Sequence, residues 1–527
     1  MIYHCEDHTC NYWDEGEKLP ERCPQCGRKL LRANEADMTG DDWTALGNTL
    51  WDAEASDKKR MVDCFRKAAY LGSAWGVCNL GICMEQGNGV EADPVQAFWL
   101  YQQAVEMGSL NAVCCLGVCY QYGIGTAPDA EKAAELYCKA AEYGSPRGQM
   151  LLARAFHDGI GVEADAAEAV HWVRAAAYQR YGEGMHRLGE CYAYGDGVEQ
   201  NWEHAVHWFR EAAESGVSVA MTDLGYCYEK GRGVEQSWEQ AFSWYRRGAE
   251  CGDPVSMCNL GWCYKRGYGV EQNLQEAVKW YEQGAQCGNL QSMNNLAYCY
   301  ERGEGVEQNM TEAIRWYTAA AEGGNADDMY ELGWQYDHGE GVEQDMKKAI
   351  CWYERAAEQN HPAAMNNLGE CYAMGRGVPR DLETAMEWYR RAAELGEAMA
   401  DYNMGWHLEQ AGKLSEAYAH YRKAADGNDD SAWWALGRFY ENGVVVAQDG
   451  KEARRCYETG EKLGSVKCKM RLARCKLLGI GGRREKKAGL DLCRQALELA
   501  KESSEKEDYG YEAEMNLLRR TIAENES

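Results

Sequence analysis

The chain is short of proline (8 residues) and of phenylalanine (6), although glycine reaches 57, tyrosine 33 and tryptophan 19. An ordinary mixture of folds does not skew usage in that way, so a copied unit is expected. No apolar run approaches the roughly 20 residues needed to span a bilayer. The start, Met1-Ile2-Tyr3-His4-Cys5, has no basic segment followed by an apolar stretch, so no secretion signal is expected. Basic charge is also in deficit. The 56 Lys and Arg residues stand against 84 Asp and Glu, and the resulting −28 repels phosphate backbones and anionic lipid, which argues against nucleic-acid and membrane partners. At 527 residues the chain exceeds what one core can organise, leaving several domains or one repeat architecture.

The repeat is explicit. Gly87-Asn88-Gly89, Gly123-Ile124-Gly125, Gly159-Ile160-Gly161 and Gly195-Asp196-Gly197 recur at a step of 36 residues, and the series runs on through Gly231, Gly267, Gly303, Gly339 and Gly375. Tryptophan keeps the same step from Trp172 to Trp388, usually with an aromatic after it, as in Trp244-Tyr245 and Trp280-Tyr281. A Leu-Gly pair marks each unit, for example Leu224-Gly225, Leu260-Gly261 and Leu368-Gly369, with alanine replacing the glycine at Ala153 and Ala297. Altered copies at Leu46-Gly47, Met404-Gly405, Leu436-Gly437 and Leu472-Ala473 extend the set to thirteen candidate first helices.

Within one unit, Ser256, Leu260 and Tyr264 share a stripe of a first helix, which Gly267 ends through the left-handed conformation of a C-cap. Asn273 belongs to a column of Asp, Asn and Ser residues (Asp93 to Asp381) that suits the N-cap of a second helix. Gln or Glu three positions later forms capping-box-like pairs. The Ala277 column allows close approach of backbones, and Trp280 is expected to fill the space between helices. Neither helix buries its stripe alone, so neighbouring pairs must stack.

The pattern Ala-x3-Leu-Gly-x2-Tyr-x2-Gly-x-Gly-Val, followed by Asp/Asn, Ala and Trp-Tyr-x2-Ala-Ala, resembles the Sel1-like repeat family, a relative of the tetratricopeptide repeats, over roughly residues 41 to 500. The resemblance implies an all-α, right-handed α/α superhelical solenoid of about twelve repeats that serves as a protein-interaction scaffold. The expected organisation is a small zinc ribbon over 1–34, the solenoid over 35–500 and a capping helix over 501–527.

Eight of the 24 cysteines fall three residues after the leucine: Cys83, Cys119, Cys191, Cys227, Cys263, Cys299, Cys371 and Cys475. Packed helices stand about 10 Å apart, beyond the ~7 Å between α-carbons that a disulfide tolerates. They read as small buried apolar residues. Certain secreted Sel1-like proteins bridge the two helices of every unit; here only Cys251 and Cys258 offer one such pair, so a reduced, cytoplasmic protein is expected. Cys5, Cys10, Cys23 and Cys26 lie outside the repeats. Cys23-Pro24-Gln25-Cys26-Gly27 is a C-x2-C knuckle, Cys5-x4-Cys10 offers the second pair, and the segment resembles a rubredoxin-like zinc ribbon with one structural, four-thiolate zinc. His8 offers a competing ligand through Cys5-x2-His8, and a disordered tail of free thiols is the plainer alternative.

Two positions after the leucine stand Tyr226, Trp262, Tyr298, Trp334, Glu370 and Trp406. Two before it stand Asn294, Tyr330, Asn366, Tyr402 and Trp434. In the tetratricopeptide relatives this face lines the concave groove, and a row of aromatics there suits a partner. Just before the leucine come Asn259, Asn295, Asn367 and Asn403, whose amides suit an extended peptide backbone. The competing reading has the asparagines bonding to the next repeat and the aromatics packing on their neighbours. Five after the leucine, Glu229, Lys265, Glu301, Asp337 and Glu409 are mostly acidic and favour a basic or aromatic ligand.

The Gly-x-Gly loops follow helices instead of strands, Glu203-His204 and His207 lack a metalloprotease spacing, and no nucleophilic constellation is present, so no enzyme is expected. From Ser465 to Arg494, ten Lys or Arg stand against Glu485 and Asp491, a local +8 that suits a terminal cap or a dock for an acidic partner. The function expected is a non-catalytic adaptor that holds a peptide or protein segment. The alternative is a regulatory or targeting subunit bound through the convex face or the basic end. The sequence leaves the oligomeric state open.

Overall fold

The computed structural model describes residues 2–5, 13–15, 30–32, 35–51, 55–506 and 512–526. Cys10, Cys23, Cys26 and the competing His8 lie outside these residues, as does the side chain of Cys5. The N-terminal part contains three short strands, β1 (Ile2–Cys5), β2 (Trp13–Glu15) and β3 (Leu30–Arg32), paired antiparallel in the order β2-β1-β3. The other described elements are helical, and the chain divides into two compact units, Met1–Gly284 and Ala285–Ser527.

Each unit is built from antiparallel helix pairs. Every helix from Ala74–Gln86 to Val466–Leu478 has 13 residues, the length that one repeat leaves after its two turns. The punctuation is as expected. Gly267 adopts φ 74° and closes its helix as a left-handed C-cap. Two residues on, Gly269 lies so close to the preceding second helix that a Cβ would stand 2.1 Å from the Trp238 carbonyl oxygen, so this position admits only glycine. At the second helices, the side chains of Asp93, Asn201 and Asp381 accept hydrogen bonds from the backbone N–H groups of Gln96, His204 and Thr384. Lys413 replaces a capping side chain in the shortened loop before Leu414–Asp426.

The core corrects one expectation. Trp280, Trp316, Trp352 and Trp388 are only half-buried, and the residue after each of them fills the space between the helices. Tyr101, Tyr137, Tyr245, Tyr281, Tyr353, Tyr389, Tyr421 and Tyr457 are among the largest fully buried side chains. The reason is the glycine of the Leu-Gly pair. A Cβ at Gly225 would lie 2.6 Å from the Tyr245 ring, and at Gly261 2.7 Å from that of Tyr281, so the missing side chain is the slot for the ring. Trp352 and Trp388 instead sit at the rim under an arginine one turn on, Arg355 at 4.3 Å and Arg391 at 4.5 Å, and Arg247 covers the more deeply buried Trp244 in the same way at 4.2 Å.

The cysteine column is buried throughout. Burial pushes the thiols of Cys83, Cys191 and Cys371 up to about 11 and those of Cys119, Cys227, Cys263 and Cys475 up to about 12, so they stay protonated and inert. No disulfide joins Cys251, which is exposed, to Cys258, which is buried. At the C-terminal end, helix Lys486–Lys506 runs past the expected boundary at 501. Helix Glu512–Glu526 then places Met515 and Leu518 against Met470, Ala473, Leu477 and Cys493. Part of the basic segment is neutralised internally. Arg471 bridges Glu441 (3.3 Å) and Glu514 (2.7 Å), and Arg474 pairs with the same Glu441.

Candidate functional site

The first helices carry the residues singled out from the sequence, and their rise of 3.6 residues per turn divides those residues between two environments. The position two after the leucine faces outward. Tyr226 is 37 %, Tyr298 38 % and Trp406 37 % exposed, and these three are the accessible part of the aromatic row. Lys230 and Arg232 approach the Tyr226 ring at 5.7 and 5.3 Å, and Arg302 approaches Tyr298 at 5.7 Å, so cations already lie over these faces.

The other two members of the row are packed. Trp262 sits with Trp238 (5.6 Å) and Tyr268 (4.8 Å), while Trp334 stacks on His338 at 4.4 Å with planes 24° apart. Two before the leucine, Tyr330 stacks on His361 at 4.8 Å and Tyr402 lies 5.6 Å from Tyr421. Burial pushes the Tyr402 phenol up to about 12.

Asn259, Asn295, Asn367 and Asn403 are half-buried. Asn403 donates to Asn366 Oδ1 at 3.0 Å, a bond between successive repeats. Asn294 donates to Asp328 Oδ1 at 2.5 Å. The structure therefore joins asparagines to polar side chains of the neighbouring repeat, and it sets Tyr298 and Trp406 three repeats apart on the outward position. Asp328 is fully buried, and burial together with Asp327 and Glu331 pushes its carboxyl up to about 7 against the bond from Asn294.

The acidic column five after the leucine has a different role from the one expected. Its carboxylates accept the hydroxyls of the buried tyrosines: Tyr245 donates to Glu229 (2.8 Å), Tyr317 to Glu301 (2.8 Å), Tyr421 to Glu409 (2.7 Å) and Tyr457 to Glu441 (2.8 Å). In earlier repeats Tyr101 reaches Glu85 and Tyr137 reaches Gln121. Where the ring is Phe209, without a hydroxyl, the fifth position is Ala193. A buried phenol needs an acceptor, so these residues are structural partners first. The tyrosine column forms the core, and the signal for it in the sequence is its pairing with the Leu-Gly glycine at an offset of 20 residues, as in Gly225 and Tyr245, shortened to 16 between Gly405 and Tyr421.

These features define an α/α solenoid whose interior is a Gly–Tyr–acid ladder and whose first-helix face carries separated aromatics. The Sel1 repeat family matches the chain at twelve consecutive places: 76–109, 112–145, 146–181, 182–217, 218–253, 254–289, 290–325, 326–361, 362–397, 398–429, 432–465 and 466–501. The chain belongs to the Sel1 repeat family. Among solved structures it is similar to a protective antigen of uropathogenic Escherichia coli with an SLR fold, at 29% identity and a TM-score of 0.60, over 81% of this chain and 94% of that one. It is also similar to a Sel1 repeat protein from Oxalobacter formigenes, at 31% identity and a TM-score of 0.42, over 46% of this chain and 96% of that one. No curated protein matches it at a significant level. Solenoids of this family typically act as protein-interaction scaffolds, and no helix among the described residues is long and apolar enough to cross a membrane.

Proposed function

We propose that the chain is a non-catalytic scaffold that holds a peptide or protein segment on the first-helix face of its repeats. The observation that carries this reading is the exposure of Tyr226, Tyr298 and Trp406 at one repeat position, while the ring-position tyrosines of the second helices, such as Tyr245, Tyr281 and Tyr421, are buried. Rigid aromatic rings give contact area at low entropic cost. Asn259, Asn295, Asn367 and Asn403 lie beside that row, next to the in-register leucine position, and the bond from Asn403 to Asn366 fixes the orientation of Asn403 before a partner arrives. Free cysteines throughout the described residues support a reducing compartment, the cytoplasm. We further propose that Cys5, Cys10, Cys23 and Cys26 hold one structural zinc, a donor set of four thiolates that suits a closed tetrahedral site.

The test is the triple variant Tyr226→Ala, Tyr298→Ala, Trp406→Ala in the full chain. Its circular dichroism and melting temperature should stay close to wild type, because these rings are outside the core, and its recovery of partners under reducing conditions should fall at least about tenfold. Undiminished recovery would refute the reading. Variants of Trp262 and Trp334 are unsuitable, since their rings pack against Trp238, Tyr268 and His338.

A further inference from the structure

One repeat breaks the ladder. At 146–181 the ring position holds Val173 where neighbouring repeats have Tyr137, Phe209 and Tyr245, and the facing Leu-Gly glycine is Ala153. One added methyl does not replace a phenol. A cavity of about 310 Å³ opens at this place, between helices Pro146–Asp158, Ala166–Tyr178 and Gly182–Tyr194. Its floor is apolar and buried, formed by Ala153, Ala169, Val170, Val173 and Cys191.

The polar end of the slot has been kept. The acceptor position five after the leucine is His157, whose Nδ1 lies 2.6 Å from Asp158 Oδ1 and whose Nε2 lies 3.4 Å from Asp196 Oδ2. Arg187 fixes Asp196 from the other side at 2.8 Å, and Arg154 approaches Asp158 at 3.4 Å. His157, Asp158 and Asp196 all line the cavity and are partly exposed at its rim. The site thus combines an apolar floor where other repeats place a ring, carboxylates at its outer end and an opening to solvent. In several other repeats the corresponding space is filled by a phenol donating to a carboxylate, as Tyr245 does to Glu229 and Tyr317 to Glu301, each at 2.8 Å.

We propose that the slot at Val173 receives a tyrosyl side chain presented by a partner polypeptide, with the ring on the apolar floor and the hydroxyl donating to Asp158 or Asp196. The polypeptide nature of the ligand rests on the scaffold reading, whereas the recognition chemistry rests on the slot alone. No residue of the exposed aromatic row lines it.

The experiment uses the full chain and two probes, p-cresol as the bare side chain and N-acetyltyrosinamide as the side chain on a backbone, with toluene as the ring without a hydroxyl. Both phenols should bind saturably and compete for one site, with dissociation constants on the order of 1 mM as expected for so few atoms. Toluene should bind roughly tenfold more weakly or worse, because the carboxylate end loses its donor. The double variant Ala153→Gly, Val173→Tyr restores the ladder of the other repeats. It should lose at least about tenfold in p-cresol affinity with no fall in melting temperature. Val173→Phe alone is the second blocker should the double variant fold poorly, since the chain itself combines Ala297 with Tyr317.

Absence of saturable p-cresol binding, equal binding of toluene, or undiminished binding to both blocked variants would overturn the slot. Binding of p-cresol without competition from N-acetyltyrosinamide would overturn the polypeptide ligand and leave a site for a free phenol. The triple variant of Tyr226, Tyr298 and Trp406 should bind both phenols as wild type does, so loss of the scaffold reading and loss of the slot are read separately.

Discussion

Asp328 gives the sharpest test of the physical account. It occupies a helix position that neighbouring repeats fill with Ser292 and Ala364, and its carboxyl is fully buried beneath Asn294. Burial is the largest cause of its raised pKa, about 7 against 3.8, followed by Asp327 and Glu331 as like charges, with the Asn294 bond opposing them. A carboxyl whose folded value lies above its unfolded value holds its proton more tightly when folded. Its contribution is therefore fully favourable below about pH 4 and is lost as pH rises toward 7, after which the curve is flat. A difference of roughly three pH units corresponds to about 4 kcal/mol at most. Asp328→Asn keeps the shape and stays neutral. It should match wild type near pH 4 and exceed it by about 2–4 kcal/mol at pH 8, in urea melts followed by circular dichroism across that range. Glu331 is raised by burial too, and that burial is common to both proteins, whereas its repulsion of Asp328 is part of the shift that the variant removes. A gap between the two proteins that does not change from pH 4 to pH 8, or a less stable variant at pH 8, would refute the reasoning.

The ladder bond has its own measurable cost. Tyr245→Phe removes the donor to Glu229 and keeps the ring against Gly225, so it should lower stability by about 1–2 kcal/mol in a urea melt without altering the helical signal. For the metal, inductively coupled plasma analysis of anaerobically purified chain should give one zinc per molecule, and changing Cys23 and Cys26 to serine should abolish it; substoichiometric zinc in the wild type would remove the four-cysteine assignment.

Local rules made most of the fold legible. The Gly-x-Gly column carries the C-cap, the Asp93-to-Asp381 column carries the N-cap, and both act within a few residues, so spacing alone places them. The ring column was harder. Trp280 and Tyr281 are adjacent on a helix and point about 100° apart, and which of them enters the core is decided by the slot at Gly261, twenty residues away in another helix. The same limit applied to Glu229 and Glu301. Their charge suggested a ligand, whereas their partners are hydroxyls whose position depends on how the two helices pack. Of the aromatic row, Tyr226, Tyr298 and Trp406 stand outward, whereas Trp334 is covered by His338 one turn further along the same helix, a spacing legible in the sequence, and Trp262 by Tyr268 of the following loop, a contact that helical periodicity does not show.

Repetition also explains why single departures deserve functional weight. In a stack where each helix pair touches mainly its neighbours, stability is close to a sum of local terms, and one repeat can give up part of its core without unfolding the others. Where a departure is compensated, as with Phe209 opposite Ala193, the missing hydroxyl and the missing acceptor vanish together and packing accounts for both. At Val173 they do not. The ring is lost, but a polar group remains at the acceptor position, held by Asp158 and Asp196, and Arg187 orients the second of these. His157, Asp158 and Asp196 form a bonded polar cluster with Arg154 and Arg187 at the rim of the cavity, so the polar end persists although the ring is gone. Their retention beside an open cavity separates a binding slot from a simple packing defect, and it places the specificity of this part of the chain in the repeat that differs from the pattern.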